Sequence, residues 1–133
     1  MEQKRTYFEA VNLMINWWVE KIITPLNQNN GDNEAPFGWA LMNLASSSAQ
    51  QELSESKIEK FKAKLREQLL ANEQKGRYSK ELDVDYHPNE ILDNACVFAE
   101  INTLCLPCKT FTYIDEDNTI NGRYQYGGAW FKL

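Results

Sequence analysis

The sequence predicts an α+β fold: three N-terminal helices and one later helix packed against a small C-terminal antiparallel sheet. Three observations lead there. Apolar residues recur at helical spacing in the segments before Gly76; the apolar period changes to two just after it; and β-branched and aromatic residues concentrate between Thr110 and Leu133. With 133 residues and no linker, repeat or low-complexity tract, residues 1–133 are expected to form a single domain.

The first helix is the most strongly written. Between Tyr7 and Ile23, 12 of 17 residues are apolar, and Glu9, Asn12, Asn16 and Glu20 return at steps of three and four, forming one narrow polar stripe. Thr6 followed by Glu9 is a capping-box signature. A helix this apolar needs cover on most sides, from other helices or from a second subunit. It is therefore placed at the centre of the core, with both Trp17 and Trp18 inside.

Pro25 closes this helix, and Asn27–Asn33 reads as a solvated loop. Pro36 suits a helical first turn, with Phe37, Ala40, Leu41 and Leu44 as its apolar face. A third helix is expected from about Ser54 to Lys75, ending at Gly76, with Ser56 and Glu59 as its capping box. Ile58, Phe61, Leu65 and Leu69 line its buried side; Lys57, Lys60 and Lys64 form a solvated stripe.

Leu82, Val84 and Tyr86 alternate with Asp83, Asp85 and His87, as in a half-buried strand. Pro88 then opens a helix carried by Ile91, Leu92, Ala95, Phe98 and Ala99 to about Ile101. Thr110–Ile114 is rich in β-forming residues, Asp115–Asn118 is a turn, Thr119–Tyr126 returns as a strand, and Ala129–Leu133 adds a short third one.

Charge is divided unevenly. Residues 1–80 carry 11 Lys/Arg against 10 Asp/Glu, whereas residues 81–133 carry 3 against 9. An acidic balance argues against nucleic acid or anionic membranes as partners, since both require basic surface. No secretory leader or apolar run of membrane-spanning length is evident, so a cytoplasmic protein with reduced thiols is expected.

The only histidine, His87, and the only cysteines, Cys96, Cys105 and Cys108, fall in one stretch. As a Cys₃His zinc set they conflict with the helix between them. Nine positions at about 1.5 Å each separate His87 from Cys96 by roughly 13 Å, too far for one ion. Cys105 and Cys108 alone keep a metal-binding spacing. Cys105-Leu106-Pro107-Cys108-Lys109 also resembles the active-site turn of thioredoxins over five residues, but strand formers follow where that fold needs a helix. Asp83, Asp85 and His87, if they share one side of a strand, are the candidate catalytic or hard-metal set. Asp117–Gly122 matches the start of a calcium loop, but the twelfth position is Gly128 rather than Glu, so it reads as a hairpin turn.

No cofactor is implied. The segment Arg123–Leu133 instead gathers Arg123, Tyr124, Tyr126 and Trp130 beside flexible glycines, and Tyr, Trp and Arg are the side chains that anchor protein interfaces. The expected function is that of a small interaction or regulatory protein without catalytic activity, its partner another protein or a second copy in a homo-oligomer. The alternatives are a metal-dependent enzyme using Asp83, Asp85 and His87, and an acidic inhibitor of a nucleic-acid-binding protein.

Overall fold

The computed structural model describes residues 5–23, 53–125 and 127–133. Among them are three α-helices, α1 (Tyr7–Ile23), α2 (Glu55–Ala71) and α3 (Glu90–Ala99). Four strands, β1 (Glu81–Val84), β2 (Thr110–Ile114), β3 (Ile120–Arg123) and β4 (Trp130–Lys132), form one antiparallel sheet in the order β1-β2-β3-β4. The α+β architecture is as predicted, and the strand expected before α3 joins the C-terminal strands in one sheet, so the sheet is not confined to the C-terminus. The helix expected around Pro36–Leu44 lies outside the described residues.

α1 and α3 pack on one face of the sheet, α1 against β2 and α3 against β1, and α2 lies against both of these helices. The capping box of α1 forms as expected. The Thr6 N–H and hydroxyl both donate to the Glu9 carboxylate, which holds that carboxyl below its usual pKa, and the Glu9 N–H donates back to the Thr6 hydroxyl. Tyr7, Ala10, Val11, Met14, Ile15, Trp18 and Ile22 are buried. α1 is nevertheless not enclosed on most sides, because Phe8 and Ile23 are more than half exposed. Nor is its polar stripe wholly solvated, since Asn12 accepts a 2.7 Å bond from Arg66 Nε on α2. The two tryptophans separate as well. Trp18 is fully buried and donates from Nε1 to Thr112 Oγ1 at 2.8 Å, while Trp17 is only half-buried.

α2 begins one residue after Ser54, whose hydroxyl accepts the Lys57 N–H. Ser54 keeps an extended backbone and so can cap; Ser56 already lies inside the first turn, which overturns the expected Ser56–Glu59 box. The helix stops at Ala71 rather than Lys75 because Asn72 leaves the helical path and its side-chain amide donates to Ser79 O. Phe61, Leu65 and Leu69 are buried as predicted, with Ile58 packed at the margin of the core.

β1 is also shorter than expected. After Val84 the chain bends through residues 85–87 and Pro88 returns beside Val84, while the Asn89 N–H and side-chain amide bond the Asp83 and Glu81 carbonyls. This hook occupies the outer edge of β1, which would otherwise be a template for further strand pairing. Asn89 caps α3 by accepting the Leu92 N–H, so the helix opens after Pro88 rather than at it. α3 ends where Glu100 adopts a left-handed conformation (φ 58°), two residues before the expected Ile101.

The β2–β3 turn is tight. Asp115 and Thr119 pair, Asn118 takes φ 60°, and the Asp115 carboxylate accepts from the Asp117 and Thr119 N–H groups and from the Asn121 amide. The Asn118 amide in turn donates to Arg5 O, and Arg5 Nη1 donates to the Asn118 and Leu133 carbonyls, tying the start of α1 to the sheet. β3 ends at Arg123, not Tyr126, because Gln125 turns into φ 63° and its N–H bonds Thr110 Oγ1. Among the described residues no helix is long and apolar enough to cross a membrane.

Candidate functional site: the open face of the sheet

Strand register decides what the sheet presents away from the helices. Asp83 pairs with Phe111, Phe111 with Arg123, and Arg123 with Trp130, so these four side chains form one continuous rung across all four strands. The adjacent outward rung is Glu81, Tyr113, Asn121 and Lys132. The intervening residues of β1 and β2, Leu82, Val84, Thr110, Thr112 and Ile114, are buried under the helices. Alternation along β1, β2 and β4 therefore separates the two faces, whereas on β3 the outward Asn121 is itself buried.

Asp83, Phe111, Arg123 and Trp130, with Asp85 and Lys109, line an open cavity of about 530 Å³ on this outer face. Trp130 is 60% exposed; its ring meets Phe111 edge-on at 5.9 Å, and the Arg123 guanidinium sits 6.0 Å from its centroid. Phe111 packs in turn on Tyr113 at 5.6 Å. At the β1 end, Lys109 Nζ is bound by the Asp85 carboxylate and lies over the Tyr86 ring at 4.2 Å. Lys109 and Gln125, which flank the ends of β2 and β3 at this cavity, both hold left-handed backbone conformations (φ 58° and 63°). For residues with a Cβ this costs free energy that surrounding contacts must offset.

Two charges in the rung stand out. The half-buried Asp83 carboxyl takes part in no hydrogen bond or ion pair among the described residues. Burial raises its pKa and neighbouring Asp85 adds to the rise, with Lys109 opposing. Arg123 likewise pairs with no carboxylate among the described residues, and its guanidinium lies over the Trp130 ring. Phe111 stands between them.

The residues singled out from the sequence are thus divided. Asp83, Arg123 and Trp130 come together on the open face. Tyr124 turns the other way, its ring edge-on to Trp17 at 5.7 Å with Lys21 Nζ 4.7 Å from its centroid. Phe131 joins the same cluster at 5.0 Å from Trp17. Tyr126 lies outside the described residues. Asp83, Asp85 and His87 do not share one strand side, because β1 ends at Val84 and His87 sits exposed in the following bend. No three His, Cys, Asp or Glu residues converge in a way that could hold a metal ion, among the described residues.

The cysteines are buried thiols rather than an exposed redox pair. Cys108 Sγ donates to Asp85 O at 3.0 Å, and burial pushes its pKa up. Burial, reinforced by Cys105 and Asp93, pushes Cys96 to about 12. Thiols held in this way are poor nucleophiles near neutral pH. The lysine stripe of α2 remains surface: Lys60 is exposed, and Lys64 Nζ lies 3.8 Å from the Glu67 carboxylate and over the Phe98 ring.

Sequence reasoning missed Phe111 and Lys109. Phe111 was visible as an aromatic flanked by threonines, but its place between Asp83 and Arg123 depends on β1 pairing with β2 across residues 85–109. No protein-family model matches the chain, and no match was found among curated proteins.

Proposed function

We propose that this chain is a small, non-catalytic interaction protein of the cytoplasm whose open sheet face binds another protein. The observation that carries the reading is the rung Asp83–Phe111–Arg123–Trp130. It exposes a large indole, an aromatic floor and two charges that form no salt bridge among the described residues, all fixed to the backbone of a sheet. Tryptophan and arginine are the residues most enriched where truncation costs binding energy, and flanking aromatics exclude water around them. The cavity is open rather than deep, which suits a protein surface better than an enclosed small molecule.

The reading is tested by quantitative affinity capture with three proteins run in parallel: wild type, Phe111→Ser/Trp130→Ala, and the α1 surface control Phe8→Ser. The double variant is expected to lose most of the specifically bound protein, while the control keeps it. Binding that is equal in all three proteins takes the open face out of consideration.

A further inference from the structure

We infer that the open face is built to meet a second copy of the same chain, stacked face to face about a two-fold axis that runs parallel to the strands above Phe111. This inference rests on the reading of that face as an interface and names its occupant. The argument is one of self-complementarity, which a two-fold interface requires: whatever residue i meets, the reverse contact must also form.

The rung has this property. β1 and β3 flank β2 at equal spacings of about 4.8 Å. Asp83 and Arg123 therefore stand equally far from Phe111 on opposite sides, in one row. A half-turn about the stated axis exchanges the two sides. It sets Asp83 of each copy opposite Arg123 of the other, twice, with Phe111 against Phe111 at the centre. Each copy supplies a close ion pair that the other lacks, since neither charge forms a salt bridge of its own among the described residues, Lys109 being engaged by Asp85 and acting on Asp83 without one.

The neighbouring rung has the same polarity, with acidic Glu81 on β1 and basic Lys132 on β4. The operation also carries Trp130 on β4 past the second copy's β1, over the hook at 85–88 that bears the exposed Tyr86. Aromatic contacts thus form the centre and the two flanks, and charge pairs lie between them. The surface is small, three to five residues on each of four strands. That places it at the low end of specific interfaces, below about 1,200 Å² in total, so a reversible dimer is expected rather than a permanent one.

Charge reversal supplies the test, read by sedimentation velocity over a concentration series. Wild type is expected to shift from monomer toward dimer as concentration rises. Asp83→Arg and Arg123→Asp, each checked for native circular dichroism, should each weaken association at least about tenfold, because each places like charges opposite one another. An equimolar mixture of the two variants should recover association near the wild-type strength, since the mixed dimer restores both pairs. A mutation that merely unfolds the chain cannot be rescued in this way.

A wild type that stays monomeric at every concentration overturns the inference. So do single variants that associate like wild type, or a mixture that fails to associate. If wild type is monomeric yet its captured partners are still lost in the Phe111/Trp130 variant, the second copy is excluded as occupant and the face remains an interface.

Discussion

The two faces of the sheet are made by the same four strands and obey different physics. On the inner face the buried Thr110 and Thr112 hydroxyls are both hydrogen-bonded. Trp18 gives its indole N–H to Thr112 Oγ1, and that hydroxyl donates onward to Leu82 O at 3.4 Å within a wall of Leu82, Ile114 and Ile120. On the outer face, Asp83 and Arg123 have no salt-bridge partner among the described residues, and Trp130 is mostly exposed. Stability comes from the inner face, where buried apolar area is removed from water. The outer face contributes little to folding and keeps contacts in reserve. A surface retained at no gain to folding is where binding is to be sought.

Two tryptophans give the sharpest contrast. Trp18→Ala deletes a fully buried indole and its hydrogen bond, and is expected to cost about 3–5 kcal/mol, enough to threaten folding of a domain this size. Trp130→Ala removes a mostly exposed ring and should cost no more than about 1 kcal/mol, the range of a cross-strand pair. Urea unfolding of both variants checks the difference. Equal losses would mean that Trp130 holds the fold together, and the division between the faces would fail.

Gly122 tests how closely the inner face is fitted. A Cβ there would stand 2.7 Å from Phe111 O and 2.8 Å from both the Phe131 ring and the Thr112 methyl. Only glycine lets Phe131 lie across β3 toward Trp17. Gly122→Val is expected to lose about 2–3 kcal/mol through displacement of the Phe131–Trp17–Tyr124 cluster, visible as a change in the near-ultraviolet circular dichroism. An unchanged tryptophan signal with native stability would show that the cluster does not depend on this approach.

How far these faces were legible in the sequence follows from where the information resides. Helical period and local capping chemistry were enough for α1, since Thr6 and Glu9 act within one turn. The hairpin was legible because Asp115–Asn118 is a turn in its own residues. The expectation of a strand from Leu82 through His87 failed at the hook, where Asn89 reaches back to the Asp83 and Glu81 carbonyls; alternation of residue types carries no trace of that bond. For the site, Arg123, Tyr124 and Trp130 were recognisable as interface residue types, but type does not say which face a side chain takes. Register assigned Trp130 outward and left Tyr124 against Trp17. Phe111 needed a pairing between β1 and β2 that no local pattern records.

The hairpin at the end of the sheet is the place where stability should follow acidity. The Asp115 carboxyl is opposed by its partial burial, but bonds from Asn121, Thr119 and Asp117, with the charge of Lys132, outweigh that and hold its pKa below the usual value. A carboxyl whose folded pKa is depressed contributes fully above its unfolded pKa and loses that contribution as pH falls through the folded one. Asp115→Ala is expected to cost about 1 kcal/mol at neutral pH, discounted for solvent exposure, and to converge with wild type in strong acid. Parallel melting curves across that range, at constant difference, would assign the loss to the turn backbone rather than to the carboxylate.

Asp83 reverses this sign, and that separates the faces most finely. Its folded pKa is raised, first by burial and then by Asp85, so the ionised form is disfavoured in the isolated fold. A carboxyl raised in this way helps most below its unfolded pKa, and the benefit is lost as pH climbs through the folded value. At neutral pH the charge therefore opposes folding, and Asp83→Asn should stabilise the monomer by about a few tenths of a kcal/mol after solvent screening, with no gain in acid. Melting temperatures of the two proteins, measured dilute from acid to neutral pH, should diverge as pH rises, with the variant higher. The same variant should associate less well, because it gives up the charge that Arg123 of a second copy would meet. A residue that costs folding and serves association belongs to an interface. If Asp83→Asn lowers the neutral-pH melting temperature instead, the carboxylate is already satisfied within its own chain, and the outer face loses the unmatched charge that distinguishes it from the inner one.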